Sequence, residues 1–148
     1  MLTKPTEYAI RTLVYIAVRN SEGLRPGFKE IAREIDSPEQ YTAKILQTLT
    51  RSGLIHSLKG RGGGFFFGTP AGSVTLFDVI KITEGEKFFM KCGFGLYTCD
   101  SDNPCPLHDS YKPVRQQFYE LVQKETIQSL AVKIKERKAT LNRIIFSS

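Results

Sequence analysis

All three cysteines of this chain and one of its two histidines lie in a single stretch, KCGFGLYTCDSDNPCPLH, residues 91–108. Six residues separate Cys92 from Cys99, five separate Cys99 from Cys105, and two separate Cys105 from His108. Thiolates bind zinc and iron–sulfur clusters, imidazole suits the same metals, and an exposed thiol can itself be oxidised. Gly93, Gly95, Pro104 and Pro106 let the segment turn back on itself and wrap one centre. Cysteines that serve only as small apolar residues belong in periodic core segments, not in a polar loop with an Asp-Ser-Asp-Asn run. Three chemistries therefore stand open. Zinc would take the three cysteines and His108 as a closed tetrahedral set, although no two cysteines have the two-residue gap usual for zinc. An iron–sulfur cluster accepts looser spacing and a fourth ligand of another type. A metal-free thiol switch is the third.

The rest of the chain must present this loop to something. At 148 residues it has the length of one domain with a true core, and 41% hydrophobic with 24% charged residues are the proportions of a soluble globular protein. No apolar run approaches the ~18 residues of a membrane span. The start, MLTKPTEYAIRT, lacks the layout of a signal peptide. A cytoplasmic location is the default expectation. Reducing conditions there disfavour a structural disulfide, and an odd number of cysteines cannot all pair within one chain. A net charge of +6 points to a polyanionic partner only if the cations cluster. They do. No aspartate or glutamate occurs from Gln40 to Phe77, while Lys44, Arg51, Lys59 and Arg61 fall in that span.

The periodicity of that region predicts what holds the patch. PTEYAIRTLVYIAVRNSEG reads as a helix with Ile10, Leu13, Val14 and Ala17 on one apolar face. FKEIAREID gives a second, with Ile31, Ala32 and Ile35 inward. Ser37-Pro38-Glu39-Gln40 reads as a capping box opening a third, with Ser37 as the N-cap. In that third helix Ile45, Leu46 and Leu49 point to a core. Gln40, Lys44, Gln47 and Arg51 share an outward stripe bordered by Tyr41 and Thr48. Amides and cations without an acid are the side chains that donate to phosphates and to base edges. Two short helices joined by a tight turn, the second carrying this stripe, form a helix-turn-helix. Leu54 to Leu58 and Phe65 to Gly68 then read as strands joined by KGRGGG, a basic hairpin. Together they make a winged helix whose Lys59 and Arg61 reach phosphates or a minor groove. GRGGG is no phosphate loop, since it lacks the following lysine-serine/threonine and precedes a strand. His56, in the first strand, is expected to be a partly buried polar residue.

Beyond the wing, VTLFDVIKITEG is a short amphipathic helix stopped by Gly85, with Leu76, Val79, Ile80 and Thr83 packing. The cysteine loop follows. From Leu107 to Lys124 the helical period resumes, with Val114, Phe118, Leu121 and Val122 in one apolar stripe. That stripe needs cover, from a second copy of the chain or from its own N-terminal helix. A last short helix runs from Thr126 to about Arg137, and the tail KATLNRIIFSS carries no assignment. The expected organisation is mainly α with a small β wing: a winged helix-turn-helix DNA-binding domain (1–85), a cysteine loop (86–106), and a dimerisation helix with a C-terminal helix (107–148). No catalytic constellation such as Ser–His–Asp is present.

The segments LTKPTEYAIRTLVYIA, KEIAREIDSPEQYTAKILQTLTRSGLI, KGRGGGFFF, VTLFDVIKITEG and the Cys-Cys-Cys-PLH loop together resemble the Rrf family of bacterial transcription regulators, in particular its iron–sulfur members of the IscR and NsrR kind. The resemblance runs over nearly the full length. It implies a homodimeric winged-helix regulator that binds a pseudo-palindromic duplex under the control of a cluster of 2Fe–2S or 4Fe–4S type. By position it makes Cys92, Cys99 and Cys105 the cluster ligands. For the fourth ligand it offers His108, as in the IscR-like members, or Glu7 given by the partner subunit, as in the NsrR-like ones. In two places the chain departs from the family. Lys59 stands where an arginine is usual, with Arg61 where a proline is common, and Tyr111 stands near the place of a frequent tryptophan.

Overall fold

The computed structural model describes residues 2–143. Helix α1 spans Lys4–Ser21 and begins at Thr3, whose hydroxyl accepts from the Thr6 amide, with Pro5 in the first turn. Its predicted face is buried in full, and Ala9 and Ile16 join it. α2 (Phe28–Glu34) and α3 (Glu39–Arg51) follow, with Ile31, Ala32, Ile35, Ile45, Leu46 and Leu49 all buried.

The turn between α2 and α3 corrects one expectation. Ser37 does not cap α3, which starts at Glu39 with no side-chain cap. Asp36 adopts a left-handed conformation at φ 54°. The Asp36 amide then donates to the Arg33 carbonyl at 3.3 Å and the Ser37 amide to the Ala32 carbonyl at 2.9 Å. That pair of bonds is a Schellman closure of α2. Ser37 is spent ending one helix and so cannot open the next; its hydroxyl instead receives Thr42 at 2.9 Å.

Strands β1 (Ile55–Leu58) and β2 (Gly64–Phe67) pair antiparallel, Ile55 opposite Phe67 and Leu58 opposite Gly64. Ile55 is buried, so by alternation His56 faces out. His56 is exposed against the ring of Phe66, not partly buried as expected. α4 (Leu76–Glu84) opens on a reciprocal capping box: Thr75 and Asp78 exchange bonds of 2.9 and 3.1 Å. It stops at Gly85, whose φ of 87° suits only glycine. After a short 3-10 turn over Glu86–Met90 comes the cysteine loop, then α5 (His108–Lys124) and α6 (Ile127–Lys135).

The start of α4 and the α5–α6 junction are stitched together by Leu76 donating to Glu125 at 3.0 Å and Ile127 donating to Val74 at 2.9 Å. α5 packs on α4 while α6 lies along α1. One continuous core thus joins α1, α3, β1 and α4 to Val122, Ile127 and Ala131. α1 is covered by α6, and α5 keeps Tyr111, Val114 and Leu121 exposed at 38%, 46% and 51%. Among the described residues the architecture is six α-helices and one two-stranded wing, a winged helix-turn-helix. No helix among the described residues is long and apolar enough to cross a membrane. Of the unassigned tail, residues 144–148 lie outside the described residues.

Candidate metal centre and nucleic-acid interface

The cysteine loop is held at both ends. Gly85 releases it from α4, and the Cys105 carbonyl accepts the His108 amide at 3.0 Å, so the last cysteine is fused to the first turn of α5. Between them Lys91 and Thr98 form an isolated antiparallel bridge, and Cys99 donates to the Met90 carbonyl at 2.7 Å. Against α5 the loop lies flat: a Cβ added at Gly93 would come within 2.7 Å of the Tyr111 ring. Arg115 donates to the Lys91 carbonyl at 3.3 Å.

This backbone turns Cys92, Cys99, Cys105 and His108 into one small pocket, whose walls include Asp100, Asn103, Tyr111 and Lys112. All three thiols are free and half-buried. The Cys99 Sγ lies 3.4 Å from His108 Nδ1. The backbone N–H groups of Leu96 and Phe94 hold the Cys92 thiol below its ordinary value against some desolvation, and Cys105 adds a side-chain contact. Asp100 is held below the usual carboxylate range, first by the Asn103 amide and then by the Asp102 N–H, closing an Asx turn at the pocket's rim. Asp100 and Asn103 went unnamed in the sequence reading. Their signal was the Asp-Ser-Asp-Asn run, which reads only as a turn until the turn is placed beside the thiols. Among the described residues no three His, Cys, Asp or Glu side chains are already arranged to hold a metal ion, although Cys92, Cys99, Cys105 and His108 line one pocket. Glu7, exposed in the first turn of α1, does not line the pocket.

The second predicted set lies on α3 and the wing. Gln40, Lys44, Gln47, Thr48 and Arg51 are all exposed, and Tyr41 is half-buried with its ring 5.1 Å from Tyr8 of α1. α3 stands as a ridge with a depression on each flank. One is lined by Tyr41, Lys44 and Thr48 with α1 and α4; the other by Gln47, Arg51 and Phe28 with Ser57 and Phe65 of the wing. At the wing tip Gly63 donates to the Gly60 carbonyl at 3.0 Å, with Gly62 at φ 76°, leaving exposed Lys59 and Arg61 on the turn. The two sets do not touch. α4 and α1 lie between them, joined by the Thr6–Thr83 hydroxyl contact at 2.6 Å and by Thr6 donating to Glu84 at 3.2 Å.

A proud helix of amides and cations beside a basic wing defines a winged helix-turn-helix transcription regulator, a DNA-binding class. The family model described as Rrf2, an iron-dependent transcriptional regulator, matches residues 2–133. The chain belongs to that family. It is 38% identical over 130 residues to protein aau3 of Rhizobium meliloti (strain 1021), covering 87% of this chain and 83% of that protein. It is 30% identical over 106 residues to the HTH-type transcriptional repressor NsrR of Streptomyces coelicolor, covering 72% of this chain and 67% of that one. In fold it is similar to T. potens IscR, with a TM-score of 0.74 at 16% identity over 95% of this chain and 92% of that one. It is also similar to CymR, the global cysteine regulator of B. subtilis, with a TM-score of 0.73 at 20% identity over 89% and 96%.

Proposed function

We propose that this protein is a homodimeric transcription regulator whose duplex binding is set by an iron–sulfur cluster held by Cys92, Cys99 and Cys105. The observation that carries the reading is the convergence of three half-buried thiols and His108 on one pocket at the start of α5. The donor set fits. A structural zinc site usually draws its cysteines in pairs two residues apart, and no such pair occurs among Cys92, Cys99 and Cys105. A cluster distributes its protein ligands over several irons and accepts a histidine among them. His108 is the better fourth ligand because it already lines the pocket with Nδ1 beside Cys99, whereas Glu7 could reach it only from a second subunit. Held there, such a cluster supplies a centre sensitive to redox change or nitric oxide.

The chain's own residues carry the consequence to DNA. Phe88 and Phe89 follow Gly85, and Phe89 packs on Phe77 of α4 at 5.4 Å between ring centroids. α4 binds α1 through Thr83 and Thr6, and α1 touches α3 through Tyr8 and Tyr41. A shift of the loop thus has a packed route to the ridge of Gln40, Tyr41, Lys44, Gln47, Thr48 and Arg51, which reads the major groove while Lys59 and Arg61 hold the flank. Residues 1–85 bind, 86–106 sense, and 107–148 dimerise through the exposed face of α5. In a twofold dimer the two ridges address half-sites of a pseudo-palindrome. The test is duplex affinity measured anaerobically before and after cluster removal. A change between the two states in affinity for a duplex that the protein selects from a random pool, its promoter site below, supports the reading, and equal affinity contradicts it.

A second reading is a thiol switch without metal, favoured by three free, half-buried thiols lining one pocket, with Cys92 held below its ordinary value first by the Leu96 and Phe94 N–H groups. It predicts reversible, oxidant-dependent DNA binding by metal-free protein, lost in Cys105→Ser.

A further inference from the structure

The segment joining α1 to α2 is docked against the edge of the wing at β2. Phe65 of β2 donates to the Pro26 carbonyl at 2.9 Å. Asn20, at the end of α1, bonds three backbone groups at once: its amide donates to Leu24 at 2.9 Å and to Phe65 at 3.2 Å, and its carbonyl accepts from Phe67 at 3.1 Å. The approach is so close that a Cβ at Gly64 would lie 2.2 Å from the Arg25 carbonyl oxygen. This construction gives Arg25 a fixed place. Its guanidinium carbon sits 4.7 Å from the centroid of Phe66, and Phe66 in turn meets the exposed His56 at 5.7 Å. Arg25, Phe66 and His56 therefore form a row across the outer face of the wing, opposite the face that packs Ile55.

The row has the chemistry of a phosphate contact. Stacking occupies the face of a guanidinium and leaves its in-plane N–H donors free for a bidentate oxyanion. Among the described residues no carboxylate pairs with Arg25, and none occurs anywhere in the hairpin. Between Phe65 and Arg61 the chain runs through Gly62, Gly63 and Gly64, which hold no side chain, while on the facing strand Leu58 stands exposed. Arg25 thus adds a cation to a wing that already carries Lys59 and Arg61 and whose hairpin holds no carboxylate.

We infer that Arg25, stacked on Phe66, is a second phosphate-binding point of each wing, gripping the DNA backbone outside the half-site and adding affinity without sequence preference. The inference rests on the DNA-binding reading. The test is duplex affinity across a salt series for wild type, Arg25→Gln, Phe66→Leu, Lys59→Gln and, as a charge control on α6, Lys135→Gln, with thermal melts to show that each folds. Losing one phosphate contact in each of two wings should lower the slope of log affinity against log salt by about 1.8, and affinity by up to about 60-fold at 0.1 M salt. The loss should be alike on promoter and random duplex. Phe66→Leu, which keeps the charge but removes the platform, should lose part of this. The inference is overturned if Arg25→Gln matches the Lys135→Gln control while Lys59→Gln weakens binding. It is also overturned if Arg25→Gln weakens the promoter alone. Absence of duplex binding by wild type would instead sink the regulator reading itself.

Discussion

Gln40 and Lys59 share one surface yet should fail differently when truncated. Gln40 opens the ridge of α3, where a side-chain amide can pair with a base edge; Gln40→Ala should cost about 1–3 kcal/mol on the promoter and little on random duplex. On the proposed reading Lys59 on the wing turn meets phosphate, so Lys59→Ala should weaken both, as competition binding against random DNA would reveal. At the loop, His108→Ala should alter the cluster spectrum while Glu7→Ala leaves it unchanged; the opposite result would place the fourth ligand on the partner subunit. The ridge could be read from sequence because helical spacing alone puts Gln40, Lys44, Gln47 and Arg51 together. His56 was misjudged because a single histidine invites a burial argument. The decisive fact was the alternation that buries Ile55 and turns the next residue outward.

The elements show where local patterns compete. Ser37-Pro38-Glu39-Gln40 satisfies the spacing of a capping box, and Asp36-Ser37 equally satisfies the end of α2; the left-handed Asp36 decides for the latter. Residues 75–78 offer no such rival, and there the box forms. The docking of the Arg25 segment against the wing could not be foreseen. It depends on Asn20 meeting residues 45 and 47 positions away in the chain, which no local period records. Asn20→Ala strips partners from those backbone groups and should lower stability by about 1–3 kcal/mol in denaturant titration. Gly93→Ala would drive a methyl into the Tyr111 ring, lifting the loop from α5. The expected readout is faster proteolysis within residues 91–105 with the melting of the helical core little changed.

At the scale of the whole molecule, the cysteine loop proposed to sense and the α3 ridge proposed to read DNA lie at separate places with one packed core between them. Tyr111, Val114, Phe118 and Leu121 recur at three, four and three residues along α5, the spacing of a helix–helix seam. Leu121→Glu should therefore leave the fold intact, give monomers in sedimentation, and abolish tight binding to a two-half-site duplex while sparing weak binding to one half. The sequence showed that α5 needed cover and that the thiols belonged together. It did not show that α6, not α5, closes over α1, because both helices carry an apolar stripe and only packing assigns them. The account rests above all on what the thiol pocket holds. Iron and acid-labile sulfide, measured per chain in protein purified without oxygen, test it most directly. Coloured protein carrying both, with both lost in Cys99→Ala, is the predicted result; colourless protein carrying stoichiometric zinc, or no metal, would contradict it.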